Sequence, residues 1–281
     1  MPFQSSDLGS KEPIFVRDRT AVVLSACIFG AATLAWIASY YLMPTMSMMA
    51  GEASMSMSGI QGIIGGGSFS FVALAFFLFV WSVGMIAMMF PAILPITLFY
   101  SKIVTRIDPR PARLRLMGTP LLLLGYLCAY AALGLGSYLL VYAAVSAAME
   151  VPELSALSVF APSMVMLAAA LFQISPLKTK MLSQCISPIT FFAVNSHKGL
   201  AGSFRMGTIH GAYCVGCCWA YMLIMLIVGA MSIPVMAILA GVIALEKVLV
   251  RGSVWFTRVI ALALFISGLA LLVYPSALML I

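Results

Sequence analysis

The stretch Phe71-Val-Ala-Leu-Ala-Phe-Phe-Leu-Phe-Val-Trp81-Ser-Val-Gly-Met85-Ile-Ala-Met88-Met89-Phe-Pro91-Ala-Ile-Leu-Pro95-Ile-Thr-Leu-Phe-Tyr100 carries no charged residue. It runs straight into Ser101-Lys102-Ile-Val-Thr-Arg106-Ile-Asp-Pro-Arg110-Pro-Ala-Arg113-Leu-Arg115, which carries five basic residues. A helix rises ~1.5 Å per residue, so ~20 apolar residues span the ~30 Å hydrocarbon core of a bilayer. A long uncharged run closed by Lys and Arg reads as a spanning helix whose C-terminal end lies in the cytoplasm.

The same pattern recurs along the chain. Apolar runs of spanning length, or close to it, occupy about 20–43, 69–100, 117–146, 155–175, 207–230, 233–249 and 254–275. The 281 residues are 63% hydrophobic and 8% charged, too few charges to coat a soluble surface, which takes about a quarter. The expected fold is all-α, a polytopic transmembrane bundle of about seven helices in a single membrane domain, 1–281. The first run is too long for a signal-peptide core and no small-residue cleavage site follows it, so it reads as a retained helix.

Orientation follows from the loops. Lys11, Arg17 and Arg19 precede the first run, and Lys102 to Arg115 follow the second. Lys178, Lys180, Lys198 and Arg205 follow the fourth run, and Lys247, Arg251 and Arg258 lie around the gap between the last two. These account for all 15 basic residues, all on one side, while the opposite loops hold only Glu52, Glu150 and Glu153. The N-terminus (1–19) and the loop 176–206 are therefore expected in the cytoplasm. The loop 44–68 and the C-terminus are expected outside, in a multi-pass protein of the inner (plasma) membrane. The net charge of +7 follows from this bias and from attraction to anionic headgroups. No interleaved basic and aromatic patch points to nucleic acid.

The outer loop contains Met43-Pro-Thr-Met46-Ser-Met48-Met49-Ala-Gly-Glu-Ala-Ser-Met55-Ser-Met57 before Gly65-Gly66-Gly67. Soft, polarisable thioethers suit Cu(I), and a flexible loop holding Met46, Met48, Met49, Met55 and Met57 can capture such an ion. Methionine also serves as adaptable packing, the competing reading for the same residues.

A second sulfur constellation lies within the apolar runs. At ~100° per residue, Trp81, Met85 and Met89 share a stripe flanked by Met88. Pro91 and Pro95 remove amide donors and free the carbonyls of Ala87 and Pro91. The fifth run opens Gly207-Thr-Ile-His210-Gly-Ala-Tyr-Cys214-Val-Gly-Cys217-Cys218-Trp219, so His210, Cys214, Cys217 and Cys218 fall on one helical face. Met88 lies twelve residues before Tyr100 and Cys217 eleven after Met206, which places both ~16–18 Å from the cytoplasmic helix ends. Thiols and thioethers favour copper, and Cys/His sets also suit zinc. Close packing of small and flexible side chains is the plainer reading. Cys27 and Cys128 are lone helical residues expected to pack. Cys185 falls in the cytoplasmic loop, where a structural disulfide is disfavoured, and His197 there is expected to be solvated.

These motifs resemble a bacterial family of predicted metal-binding integral membrane proteins of unassigned function. The resemblance covers about Trp81 to Lys247. It rests on Trp81-x-x-x-Met85-x-x-Ala87-Met88-Met89-x-Pro91-x-x-x-Pro95, on Ser175-Pro176-Leu177-Lys178 and on Cys185-x-x-Pro188. Its most specific part is Arg205-Met206-Gly207-x-x-His210-Gly211-x-Tyr213-Cys214-x-Gly216-Cys217-Cys218-Trp219-x-x-Met222, and Glu246-Lys247 is similar as well. The family pattern has a Cys four residues before position 185, where this chain has Met181. Sulfur is kept there and the thiolate is lost.

The expected function is soft-metal binding, with copper foremost, in transport or in delivery as an accessory subunit or assembly factor. Expected partners are the lipid bilayer, the metal ion, and a membrane metalloenzyme or copper chaperone. Cys185, Met181 or His197 would take the ion at the inner side. The chain has no Walker A loop, so it has no nucleotide motor of its own. The rival is a membrane thiol oxidoreductase cycling Cys214 and Cys217. No carboxylate pair or Ser/His/Asp set suggests hydrolysis.

Overall fold

A computed structural model describes residues 19–49, 69–107, 117–150, 158–195, 197–227 and 232–273. Among them are nine α-helices and no strand. They are α1 (Arg19–Met49), α2 (Phe71–Ile107), α3 (Gly118–Glu150), α4 (Ala161–Gln173), α5 (Pro176–Ile186), α6 (Pro188–Asn195), α7 (Gly199–Ile227), α8 (Ile233–Ala244) and α9 (Val254–Val273). A π-helical turn, Leu245–Leu249, continues α8.

Five helices are long and apolar enough to cross a membrane: α1, α2, α3, α7 and α9. The seven expected spans are not all of that kind. The fourth run forms α4, 13 residues long, joined to α5 through a 69° bend, and the pair together passes the same test as one broken or re-entrant segment. The sixth run forms α8, 12 residues long. At ~1.5 Å per residue both are shorter than a bilayer core. The outer loop expected from residue 44 starts later, because α1 continues through Pro44, Met46 and Met48 to Met49. Met55 and Met57 lie outside the described residues.

The largest departure concerns 176–206. In place of a loop the chain forms α5, α6 and the first turns of α7. Serine followed by proline starts both short helices. Ser175 Oγ accepts the Lys178 amide at 3.2 Å with Pro176 in the first turn, and Ser187 Oγ accepts the Thr190 amide at 3.4 Å ahead of Pro188. A serine cap and a first-turn proline satisfy and preset a helix N-terminus. Lys178, Leu182 and Cys185, at i, i+4 and i+7, are the buried face of α5.

The core is assembled around α3 and α7, whose contact is the most extensive in the fold. Glycine permits it. A Cβ on Gly207 would strike the Leu122 carbonyl oxygen, and one on Gly211 would lie 2.7 Å from Ala129 Cβ. Gly207 and Gly211, four residues apart, form the small-residue stripe along which apolar helices approach closely. α2 also packs on α3: Trp81 Nε1 donates to the Tyr130 carbonyl at 2.9 Å, and its ring occupies the space where Gly134 has no side chain. α5 lies against the middle of α7, with Met181 against Gly216. The outer faces of α1 and α9 remain apolar and exposed, with Leu34, Tyr41, Leu262 and Ile266 among their outward residues.

Candidate metal centre

The buried face of α7 carries His210, Cys214, Cys217 and Cys218, each at most 3% exposed. These are the residues the helical spacing of the fifth run brings together. Gly199–Ile227 is one helix of 29 residues, so Cys214 lies near its midpoint. The face is closed by α3 on one flank and by α5 on another.

α5 adds the residue that sequence reasoning assigned no part in the intramembrane cluster. Cys185 Sγ lies 2.7 Å from Cys214 Sγ, and Cys217 Sγ lies 3.8 Å from Cys185 Sγ. Cys214 Sγ is 3.5 Å from His210 Nε2. One donor atom from each of Cys185, His210 and Cys214 lies within 4.8 Å of the other two, and all three residues are buried. Two thiols and an imidazole, shut away from water and able to converge on one point, form a soft donor set that suits Cu(I) and that zinc also accepts.

The remaining thiols are turned differently. Cys217 and Cys218 Sγ both donate to the Cys214 carbonyl, at 3.1 and 2.8 Å, and Cys218 Sγ also meets the Tyr130 hydroxyl at 3.4 Å. Cys217 is thus a nearby fourth sulfur, and Cys218 belongs to the α3 contact. His210 is held between aromatic rings. Tyr126 stacks on it at 5.9 Å between centroids and Phe191 of α6 meets it edge-on at 5.0 Å. Its Nδ1 is buried with no hydrogen-bond partner. The ring nitrogen next to the thiols is Nε2, 3.5 Å from Cys214 Sγ, and a neutral imidazole can offer it to a metal.

A charged network borders the sulfurs. Lys178 Nζ pairs with Glu246 Oε1 at 2.6 Å, both side chains almost fully buried. Gln173 closes the network by accepting from Lys178 Nζ and donating to the Tyr221 hydroxyl, which in turn donates to Glu246 Oε2 at 3.4 Å. Four segments (α4, α5, α7 and the π turn) are thereby tied together at the centre's edge. The π turn carries adjacent Glu246 and Lys247, both buried, at 2% and 7% exposure. Lys247 Nζ is buried with no hydrogen-bond partner. Lys178 and Lys247, counted above as cytoplasmic loop charges, are therefore interior groups.

Met85, Met88 and Met89 are all buried, at 0%, 3% and 0% exposure, in the same core cluster as the thiols. α2 and α7 meet directly where the Tyr100 hydroxyl and Ser203 Oγ lie 2.6 Å apart, and each also packs on α3 and on α8. His197 lies outside the group: its amide donates to Met206 Sδ at 3.4 Å. Cys27 and Cys128, expected to pack, are exposed on the outer faces of their helices. The signal for Cys185 was present in the spacing of Lys178, Leu182 and Cys185 behind a Ser-Pro helix start. Reading 176–206 as a loop hid it.

Residues 78–271 match the family described as PpoB2, copper chaperone, and the chain belongs to that family. No curated protein and no solved structure matches it.

Proposed function

We propose that this copper chaperone family member is a multi-pass inner-membrane protein that holds Cu(I) between Cys185, Cys214 and His210 and delivers it to a copper-requiring enzyme. The observation that carries the reading is the convergence of those three donors from two helices in a buried place. A two-coordinate or three-coordinate soft site suits a carrier, because a ligand set with room for a further donor can pass its ion to an incoming thiol or thioether. Cys217, 3.8 Å from Cys185 Sγ, is placed to serve as such a relay within the chain.

The methionines extend the path in this reading. Met46, Met48, Met49, Met55 and Met57 collect the ion on the outer side. Met85, Met88 and Met89 carry it as thioethers along α2 toward the thiols. Their burial in the same core as Cys214 supports this order. The outer faces of the long helices support membrane insertion, with apolar side chains where a soluble protein would be charged.

The test is anaerobic loading with Cu(I) in detergent, with retained metal measured by mass spectrometry in wild type, Cys185→Ser, Cys214→Ser and His210→Gln. Stoichiometric retention by the wild type, weakened about 100-fold or more by loss of either thiol, is the expected result. A wild type that retains no copper, yet forms and reduces a Cys214–Cys217 disulfide, would replace this reading with the thiol oxidoreductase.

A further inference from the structure

α9 packs along α4, and α5 leaves the end of α4 through the 69° bend. A crevice opens between α5 and the first turns of α9, with a cavity of about 360 Å³. Its buried lining is Gln173, Lys178 and Leu182, each at most 4% exposed, and its outer lining includes Thr179, Ser183, Thr257 and Arg258. The chain enters α9 through Arg251 and Gly252, both at positive φ (47° and 74°). Gly252 closes one end of the crevice, so near α5 that a Cβ there would lie 3.2 Å from Ile186 and 3.3 Å from Leu182.

Two charged side chains line this space, and only one is balanced. Lys178 is held by Glu246 at 2.6 Å, whereas Arg258 has no carboxylate partner among the described residues. The hydroxyls have a different need. Thr179 Oγ1 donates to the Ser175 carbonyl at 3.4 Å, Ser183 Oγ to the Lys180 carbonyl at 2.8 Å and Thr257 Oγ1 to the Ser253 carbonyl at 3.1 Å. Each oxygen keeps lone pairs for a donor from outside. A matching ligand brings an anionic oxygen for Arg258 and O–H donors for the hydroxyls. The place of α9 says where such a ligand comes from. Its 20 residues rise ~30 Å, the thickness of a bilayer core. Its first turns, with Arg258 and the 74%-exposed Trp255, then fall at a membrane interface, the level of the headgroups.

We propose that the crevice between α5 and α9 binds the headgroup of an anionic glycerophospholipid with free hydroxyls, the phosphatidylglycerol class. The phosphodiester meets Arg258, and the glycerol hydroxyls donate to Thr179, Ser183 and Thr257. The acyl chains lie along the exposed apolar face of α9, where Val259, Leu262 and Ile266 point outward. Basic clefts between membrane helices take anionic headgroups in this way. A phosphoethanolamine headgroup suits the crevice less, because its ammonium cancels the charge that Arg258 needs. The inference rests on the membrane reading above and is independent of the copper site.

The experiment is native mass spectrometry of the full-length protein in detergent, with phosphatidylglycerol, phosphatidylethanolamine and inorganic phosphate added singly and in competition. Wild type is compared with Arg258→Gln, with Ser183→Leu, which fills the crevice, and with Arg251→Gln, which removes a neighbouring charge that does not line it. Arg258 and Ser183 are exposed, so neither substitution disturbs the core. The expected wild type retains a single phosphatidylglycerol, with a preference over phosphatidylethanolamine of about tenfold or more. Arg258→Gln and Ser183→Leu lose that preference, and Arg251→Gln keeps it. Equal retention of the two lipids by the wild type, or an equal loss in Arg251→Gln, overturns the site. Inorganic phosphate that displaces the lipid assigns the crevice to free anions and overturns the lipid as its occupant. An alkaline wash of the membranes separates this inference from the reading beneath it. Protein stripped off by the wash removes the membrane reading itself, and protein that stays without a lipid preference removes this inference alone.

Discussion

Cys185, Cys214 and His210 do the chemistry in this account, and each is in place for an identifiable reason. His210 and Cys214 are four residues apart on α7, and Cys185 is brought to them by the buried stripe of α5. His210 contributes the Nε2 that lies 3.5 Å from Cys214 Sγ, on a ring fixed by Tyr126 and Phe191. Phe191→Ala should leave a cavity beside the imidazole, cost about 3–5 kcal/mol, and loosen copper binding without abolishing it. A calorimetric scan with and without Cu(I) would report both effects. Met88→Leu, by contrast, preserves volume and should cost under about 1.5 kcal/mol in stability. If it also slows copper loading from outside while leaving equilibrium affinity intact, the thioether path is supported, and unchanged loading kinetics would remove it. The α7 donors were legible in sequence because helical spacing alone puts them on one face. Cys185 was legible as one position of a helical stripe behind a Ser-Pro start, but its pairing with Cys214 was not, since the two lie 29 residues apart and no periodicity spans that distance.

The helices reach their places through close approach and through one buried ion pair. Gly207→Leu would drive a side chain into the Leu122 backbone. It should destabilise the α3–α7 pair by about 1–3 kcal/mol, seen as a lower thermal midpoint in detergent, and an unshifted midpoint would mean that the two backbones are not in contact there. Lys178 and Glu246 hold α5 to the π turn at almost complete burial. Removing one partner, as in Glu246→Gln, leaves a buried charge and should cost ~3–5 kcal/mol. Lys178→Met with Glu246→Leu should recover much of that loss, because neither charge is then stranded. The same double variant failing as badly as the single one would contradict the pairing. The long apolar runs were readable as α1, α2, α3, α7 and α9, since length and hydropathy suffice for them. The α4–α5 bend and the short α8 were not, because a polar stretch such as 176–186 reads as a loop until tertiary burial gives its Lys and Cys partners.

At the scale of the whole molecule, the five long apolar helices and the bent α4–α5 pair pack into a core rich in sulfur, and the buried charges among the described residues are Lys178, Glu246 and Lys247. The loop charges support an N-terminus in the cytoplasm. In a background with Cys27 and Cys128 replaced by Ser, an impermeant maleimide should label Glu52→Cys on intact cells and Arg110→Cys only after permeabilisation. The reverse pattern would invert the topology. Fold class followed from composition, and family membership now joins that fold to copper. What neither provides is the identity of the donor atoms, which depends on α5 folding back against the middle of α7. X-ray absorption at the copper edge of the Cu(I)-loaded wild type, beside Cys185→Ser, tests that point most directly. The expected spectrum has two sulfurs and one imidazole nitrogen around copper, with one sulfur lost in the variant. A wild-type spectrum without sulfur, or one that Cys185→Ser leaves unchanged, would contradict a centre built between α5 and α7.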